Sequence, residues 1–114
     1  MQIVERLVEN VTVLDLKGRL LLDDGHDLFR ETLDRVVGLG SRRILLNFDE
    51  VTQIDSAGLG VLVSKYISAH KRGGQLKLCN LHVRSFRVLD VTKLLTVFEA
   101  FDSVAAGVES FRER

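Results

Sequence analysis

Val51-Thr52-Gln53-Ile54-Asp55-Ser56-Ala57-Gly58-Leu59-Gly60 is the stretch where an apolar strand gives way to a long amphipathic run. Asp-Ser followed by small residues suits a helix entrance. Asp55 or Ser56 can accept a hydrogen bond from an orphan N–H of the first turn, and Ala57, Gly58 and Gly60 leave that turn's backbone uncovered by side chains. A serine at such a place is often a plain N-cap. The glycines argue for more: each costs a helix interior about 1 kcal/mol relative to Ala, so a helix serving stability alone has little reason to carry both Gly58 and Gly60. Close approach by another molecule supplies a reason, with the Ser56 hydroxyl exposed and approachable.

Just upstream, Ile44-Leu45-Leu46-Asn47-Phe48 reads as a strand buried on both faces, as central parallel strands are. Downstream, Leu59, Leu62, Val63, Tyr66 and His70 recur at helical spacing and are expected to face the core. Gly60, Val61, Ser64, Lys65 and Ser68 fall on the opposite side, where an exposed Val61 beside bare Gly60 hints at a docking surface. Lys71-Arg72 favour the helix dipole at its C-terminus, Gly73-Gly74 end the helix, and Gln75-Leu76-Lys77-Leu78-Cys79 is the next strand.

Towards the N-terminus, residues 3–8 and 11–16 are β-rich runs joined at Glu9-Asn10, a tight hairpin that Gly18 ends. Arg19-Leu20-Leu21-Leu22-Asp23-Asp24 forms a crossing loop into a helix from about residue 26 to 37, capped by Asp24 or Gly25 and stopped at Gly38 or Gly40, with Leu28, Phe29, Leu33, Val36 and Val37 inward. Towards the C-terminus, Asn80 can cap a third helix over residues 83–91, and residues 94–99 read as a short last strand. Ser103 caps a final helix with Val104, Val108 and Phe111 inward. A hairpin followed by alternating helix and strand implies an α/β fold: a mixed β-sheet with an antiparallel N-terminal hairpin, parallel central strands and about four helices. Ser56 then lies just past the C-terminal end of a central strand, where open α/β sheets present their functional groups.

At 114 residues the chain fits one domain, residues 1–114, and its 46% apolar content supplies one core. Sixteen basic and sixteen acidic side chains cancel, and the aromatics are six Phe and one Tyr, which disfavours a nucleic-acid surface built on counterion release and base stacking. The single Cys79 cannot form an internal disulfide and reads as a reduced core thiol of a cytoplasmic protein. No leader pattern opens the chain and no apolar run approaches the length of a membrane span, so secretion and membrane insertion are disfavoured.

Catalytic patterns are lacking around Ser56. A nucleophilic serine needs a base and an oxyanion hole, and His26, His70 and His82 fall in no triad pattern; the glycine that a nucleophile elbow needs two residues before the serine is Ile54. The histidines and Cys79 do not cluster as zinc ligands, and Gly58-Leu59-Gly60 lacks the third glycine of a dinucleotide loop because Val63 stands there. No catalytic residue, cofactor or metal is expected. What remains is a serine that a kinase could modify: phosphate there adds about −1.5 to −2 charges at the positive end of a helix, which the fold tolerates and a covering partner does not.

These residues resemble a STAS domain, specifically the free-standing bacterial anti-sigma factor antagonists. The likeness covers nearly the whole chain: Gly18-Arg19-Leu20 after the hairpin, Ile44-Leu45-Leu46-Asn47-Phe48 followed by Val51, the segment from Ile54 through Leu62, Gly73-Gly74, and Thr92-Lys93-Leu94. By this resemblance Ser56 is the residue phosphorylated by an anti-sigma factor serine kinase. The unphosphorylated protein binds that kinase and frees a sigma factor, and a serine phosphatase resets it; ATP and magnesium belong to the kinase. Asp23, Asp24, Asp55, Gly58, Gly60, Val61 and Ser64 are the implied partner contacts. Ala57 leaves Ser56 as the one acceptor in the motif. The alternative is a STAS subunit of a lipid-transport or signalling assembly in which Ser56 only caps the helix.

Overall fold

The computed structural model of the chain describes residues 1–82 and 98–112. Strands β1 (Gln2–Val8) and β2 (Val11–Leu20) form the expected antiparallel hairpin. Glu9 and Asn10 both take positive φ, 49° and 69°, as the two central residues of a tight type I′ turn must. Gly18 does not end β2. At φ +112° it occupies a conformation open to glycine, and the strand runs on to Leu20.

Helix α1 (His26–Gly38) follows, with Gly25 as N-cap and Leu39 as C-cap. Phe29, Leu33, Val36 and Val37 are its buried residues, whereas Leu28, expected inward, is 43% exposed because it sits at the rim of the apolar stripe. Strand β3 (Arg43–Ile54) is longer than the apolar run suggests. Past Phe48 it continues through Val51-Thr52-Gln53-Ile54, gaining a residue on β2 at two irregularities, with Gly18 opposite Val51 and Leu20 opposite Ile54. The sequence pattern concealed this because beyond Phe48 only Val51 and Ile54 are buried, a spacing of three rather than two.

Helix α2 (Ser56–Lys71), β4 (Gln75–Cys79), β5 (Ala100–Phe101) and α3 (Val104–Glu109) complete the described chain. The strand order is β1-β2-β3-β4-β5, antiparallel in the first pair and parallel thereafter. The helix expected over residues 83–91 lies outside the described residues, as does most of the strand expected at 94–99. Phe98 and Glu99 are not in a strand. Pairing with β4 begins where Leu78 N donates to Glu99 O at 3.0 Å and continues with Asn80 N on Phe101 O at 2.9 Å, so the short strand falls at Ala100–Phe101.

Crossovers that step the same way across a sheet place their helices on one side. Accordingly α1 and α2 pack together on one face, over Leu14, Leu16, Leu20, Ile44, Leu46 and Leu78, and α3 covers the other, where Val11, Val13, Leu45 and Cys79 meet Val108 and Phe111. Each such Leu, Val or Phe contributes roughly 1.5–3 kcal/mol by leaving water. Burial pushes the Cys79 thiol up to about 11, so it stays an inert core group.

On the α3 face a lysine is enclosed. Lys77 is 4% exposed, and its Nζ donates to Ser110 O at 3.2 Å and Ser110 Oγ at 3.1 Å, pairs with Glu99 Oε2 at 3.3 Å and lies 4.4 Å from the Phe111 ring centre. Ser110 directly follows α3, so this ammonium fastens the last helix to β4. Ser103 caps α3 as expected, accepting from Ala106 N at 3.0 Å.

Candidate functional site

Where β3 ends, the loop between β2 and α1 meets the first turn of α2, and Asp55 ties the two together. Its backbone is extended, as an N-cap before the first helical residue requires, and its N–H donates to Leu20 O at 3.2 Å. Asp55 Oδ1 accepts from Gly58 N at 2.9 Å and Oδ2 from Leu22 N at 2.9 Å. Burial pushes this carboxyl up, but the N–H groups of Gly58, Leu22 and Ala57 outweigh burial and hold it below its ordinary value. It is therefore anionic at neutral pH.

Of the two candidate caps, Asp55 is the one in use. Ser56 is the first helical residue; it is exposed, and its hydroxyl makes no hydrogen bond among the described residues. The side chain suited to capping is thus free of that duty.

The two glycines part company. Gly60 is exposed, with nothing within 4 Å of the position a Cβ would take, and keeps its expected place on the open side of the helix. Gly58 is buried, and a Cβ there would stand 2.5 Å from Leu20 O and 2.7 Å from Leu20 Cγ. Its lack of a side chain lets α2 press onto the end of β2, which corrects its reading as uncovered backbone offered to a partner.

Val61 needs a second correction: it is 7% exposed and belongs to the core between helices and sheet. A single periodic stripe predicts burial against the sheet alone, but α2 also has α1 beside it. Lys65, one turn on from Val61, pairs with Asp34 of α1, so that flank of the helix is covered. His70, expected inward, is exposed and stacks on Tyr66 with ring centres 6.3 Å apart. The open side of α2 is the row Ser56, Gly60, Ser64 and Ile67, spaced by four, four and three residues.

Beside the head of this row lies the β2–α1 loop, closed on itself by Leu21 N to Asp24 O at 2.8 Å and Asp24 N to Leu21 O at 3.0 Å. The Asp24 carboxylate is engaged within the chain, 3.0 Å from Arg19 Nε and 3.6 Å from the N-terminal ammonium, and so holds the loop's shape. Asp23 is exposed and has no such partner among the described residues. Leu22, which the sequence reading passed over, is 67% exposed. No alternation signals this: a period of two would put Leu22 on the side of Leu20, and it faces outward because the chain leaves the strand at the turn that Leu21 and Asp24 close.

The remaining chemistry lies elsewhere. His26 contacts Asp27 at 3.3 Å and His82 contacts Asp49 at 3.0 Å, contacts that do not include Ser56. Among the described residues no group of three or more His, Cys, Asp or Glu is placed to hold a metal, and no helix is long and apolar enough to cross a membrane.

Comparison with known proteins matches residues 2–107 to the family model described as STAS domain. A candidate anti-sigma factor antagonist of Thermotoga neapolitana is 29% identical over 109 residues, 96% of either chain. The anti-sigma-B factor antagonist of Bacillus subtilis is 38% identical over 60 residues, covering 53% of this chain and 55% of that one. Among solved structures, a candidate anti-sigma factor antagonist of Thermotoga maritima superposes with a TM-score of 0.85 at 26% identity, over 97% of this chain and 95% of that one.

Proposed function

The chain belongs to the STAS-domain family, and from that premise we propose that it is an anti-sigma factor antagonist switched by phosphorylation of Ser56. Unphosphorylated, it binds an anti-sigma factor that is itself a serine kinase, and so releases a sigma factor. A serine phosphatase returns the modified protein to the binding state. The chain acts as a binding module, and the phosphoryl chemistry belongs to its partners.

The observation that carries this reading is the division of labour between neighbours: Asp55 caps α2, leaving the exposed Ser56 hydroxyl without a hydrogen-bond partner among the described residues. A serine that only capped its helix would have the hydroxyl on a backbone N–H, as Ser103 does at α3. The likeness to proteins named as antagonists supplies the class of partner.

The physical consequence of modification is asymmetric. A phosphate on the first residue of α2 lies at the positive end of the helix dipole, where an anion gains about 0.3–1 kcal/mol, so the domain stays folded. A partner covering Ser56, Gly60, Ser64, Leu22 and Asp23 must desolvate that phosphate next to ionised Asp55. A cost of about 4 kcal/mol is roughly a thousandfold in affinity.

The test is intact-mass analysis after incubation with ATP, magnesium and a candidate anti-sigma kinase of the same genome, followed by peptide mapping. The expected product carries one phosphate on Ser56. Ser56→Ala should remain unmodified and bind the kinase constitutively, and Ser56→Asp should bind poorly. Phosphate on another residue, or equal binding by both variants, would sink the switch.

A further inference from the structure

At the far end of α2, about 24 Å from Ser56 by helix rise, the turns that follow α1 and α2 enclose a concavity of about 300 Å³ lined by Val37, Gly40, Ser41, Arg42 and Arg72. Its frame is held by backbone bonds from Gln75 N to Arg42 O at 2.7 Å and from Ser41 N to Val36 O at 3.2 Å. Gly74 sits so close that a Cβ there would stand 3.0 Å from the Arg42 carbonyl oxygen.

Arg42 and Arg72 are exposed, and neither guanidinium has an ion pair or side-chain hydrogen bond among the described residues; the same holds for Arg43 and Lys71, their neighbours in sequence. Apart from Lys17, every other described Lys and Arg has a carboxylate partner. In a chain of formal net charge zero, this gathers cations unpaired among the described residues where the turns after α1 and α2 meet. Helix C-termini explain part of it, since cations there favour the dipole. They do not explain Arg42, which precedes β3, or a hollow with two arginines in its lining.

The geometry points to an anion pocket for a phosphate-bearing small molecule. A guanidinium presents a planar fork of N–H donors. The Ser41 hydroxyl, which accepts from Thr12 Oγ1 at 3.4 Å, keeps its own proton to donate. A carboxylate has two oxygens, and one fork uses both. A phosphate group has a third oxygen, so it can serve the second fork or the hydroxyl as well. Open space around Gly40 leaves room for the organic remainder of the ligand. The pocket shares no residue with the Ser56 surface and does not depend on the proposed switch.

Inorganic pyrophosphate is the probe. The full chain is titrated at constant ionic strength and followed by backbone amide NMR, with sodium chloride at matched ionic strength as the blank. Saturable shifts confined to residues 37–42 and 71–75 are expected, with affinity falling about tenfold or more in the Arg42→Gln/Arg72→Gln double variant. Lys17→Gln, which removes an equally unpaired charge elsewhere, and Ser56→Ala should bind as the parent does. Both arginine side chains are exposed, so the amide spectrum of the double variant should keep its dispersion. Shifts that chloride reproduces, shifts at residues 55–59 instead, retained affinity in the double variant, or no shift at all would overturn the pocket.

Discussion

The two ends of α2 solve the same problem and leave different remainders. At the N-terminus the orphan Gly58 N–H is met by Asp55. At the C-terminus Arg72, Gly73 and Gly74 close the helix by backbone alone, with Gly73 N on His70 O at 3.0 Å and Gly74 N on Ala69 O at 2.9 Å. With the backbone satisfied locally at both ends, nearby side chains are released from structural duty. What is released is a neutral hydroxyl at one end and a set of cations at the other. The cations run with the helix dipole, and a phosphate added to the hydroxyl would do so too, because the dipole favours anions at the N-terminus and cations at the C-terminus. Charge chemistry at either end can therefore change what the surface binds while scarcely touching the fold.

The contrast is sharpest within the first turn, where the same substitution two residues apart should have opposite signs. Gly58→Ala drives a methyl against Leu20 O and should destabilise by about 2 kcal/mol. Gly60→Ala enters open space and should stabilise by up to about 1 kcal/mol. Urea unfolding of both proteins measures the gap, and equal effects would mean that Gly58 is not pressed against β2.

Next in size is the cap itself. Asp55→Asn removes the charge and one of the two backbone contacts, and should cost about 1 kcal/mol at neutral pH. Because the folded carboxyl is held below its ordinary value, this stability is fully present above the unfolded pKa of about 4 and is lost as pH falls through the lower folded value. The difference between parent and variant should therefore close on acidification below about pH 4. A gap unchanged at low pH would show that the charge is not what holds the loop.

At the C-terminal end Arg72→Gln should cost only a few tenths of a kcal/mol, the worth of one exposed cation near a helix terminus. Smallest of all, Ser56→Ala should leave the unfolding free energy within about 0.5 kcal/mol of the parent, because its hydroxyl makes no hydrogen bond among the described residues. A larger loss would return Ser56 to a structural role and blur the difference between the two ends.

Much of this was legible in the chain. Glu9-Asn10 announced a hairpin, and Gln75–Cys79 is the strand its alternation suggested. Asp55-Ser56 marked the entrance of α2, although spacing alone could not say which of the two was the cap, since both residue types accept from a first-turn N–H. Sequence reading failed where burial comes from a second neighbour. Val61 is hidden by the flank shared with α1, and Gly58 by the end of β2, and neither partner is encoded in the local period of α2. It failed also at strand ends: Gly18 and the Val51–Ile54 segment look like stops, yet they pair across the sheet with register shifts that no alternating pattern reveals.

The enclosed Lys77 sets an order on synthesis. Its ammonium sits in a strand made well before the residues that receive it, Glu99, Ser110 and the ring of Phe111. Before α3 docks, that face is open and water holds the ammonium; docking removes the water and must supply Ser110 and the Phe111 ring in its place. Truncation before Ser110 would remove both Ser110 acceptors and the Phe111 ring, leaving Lys77 with Glu99 as its partner on a face that has lost part of its cover.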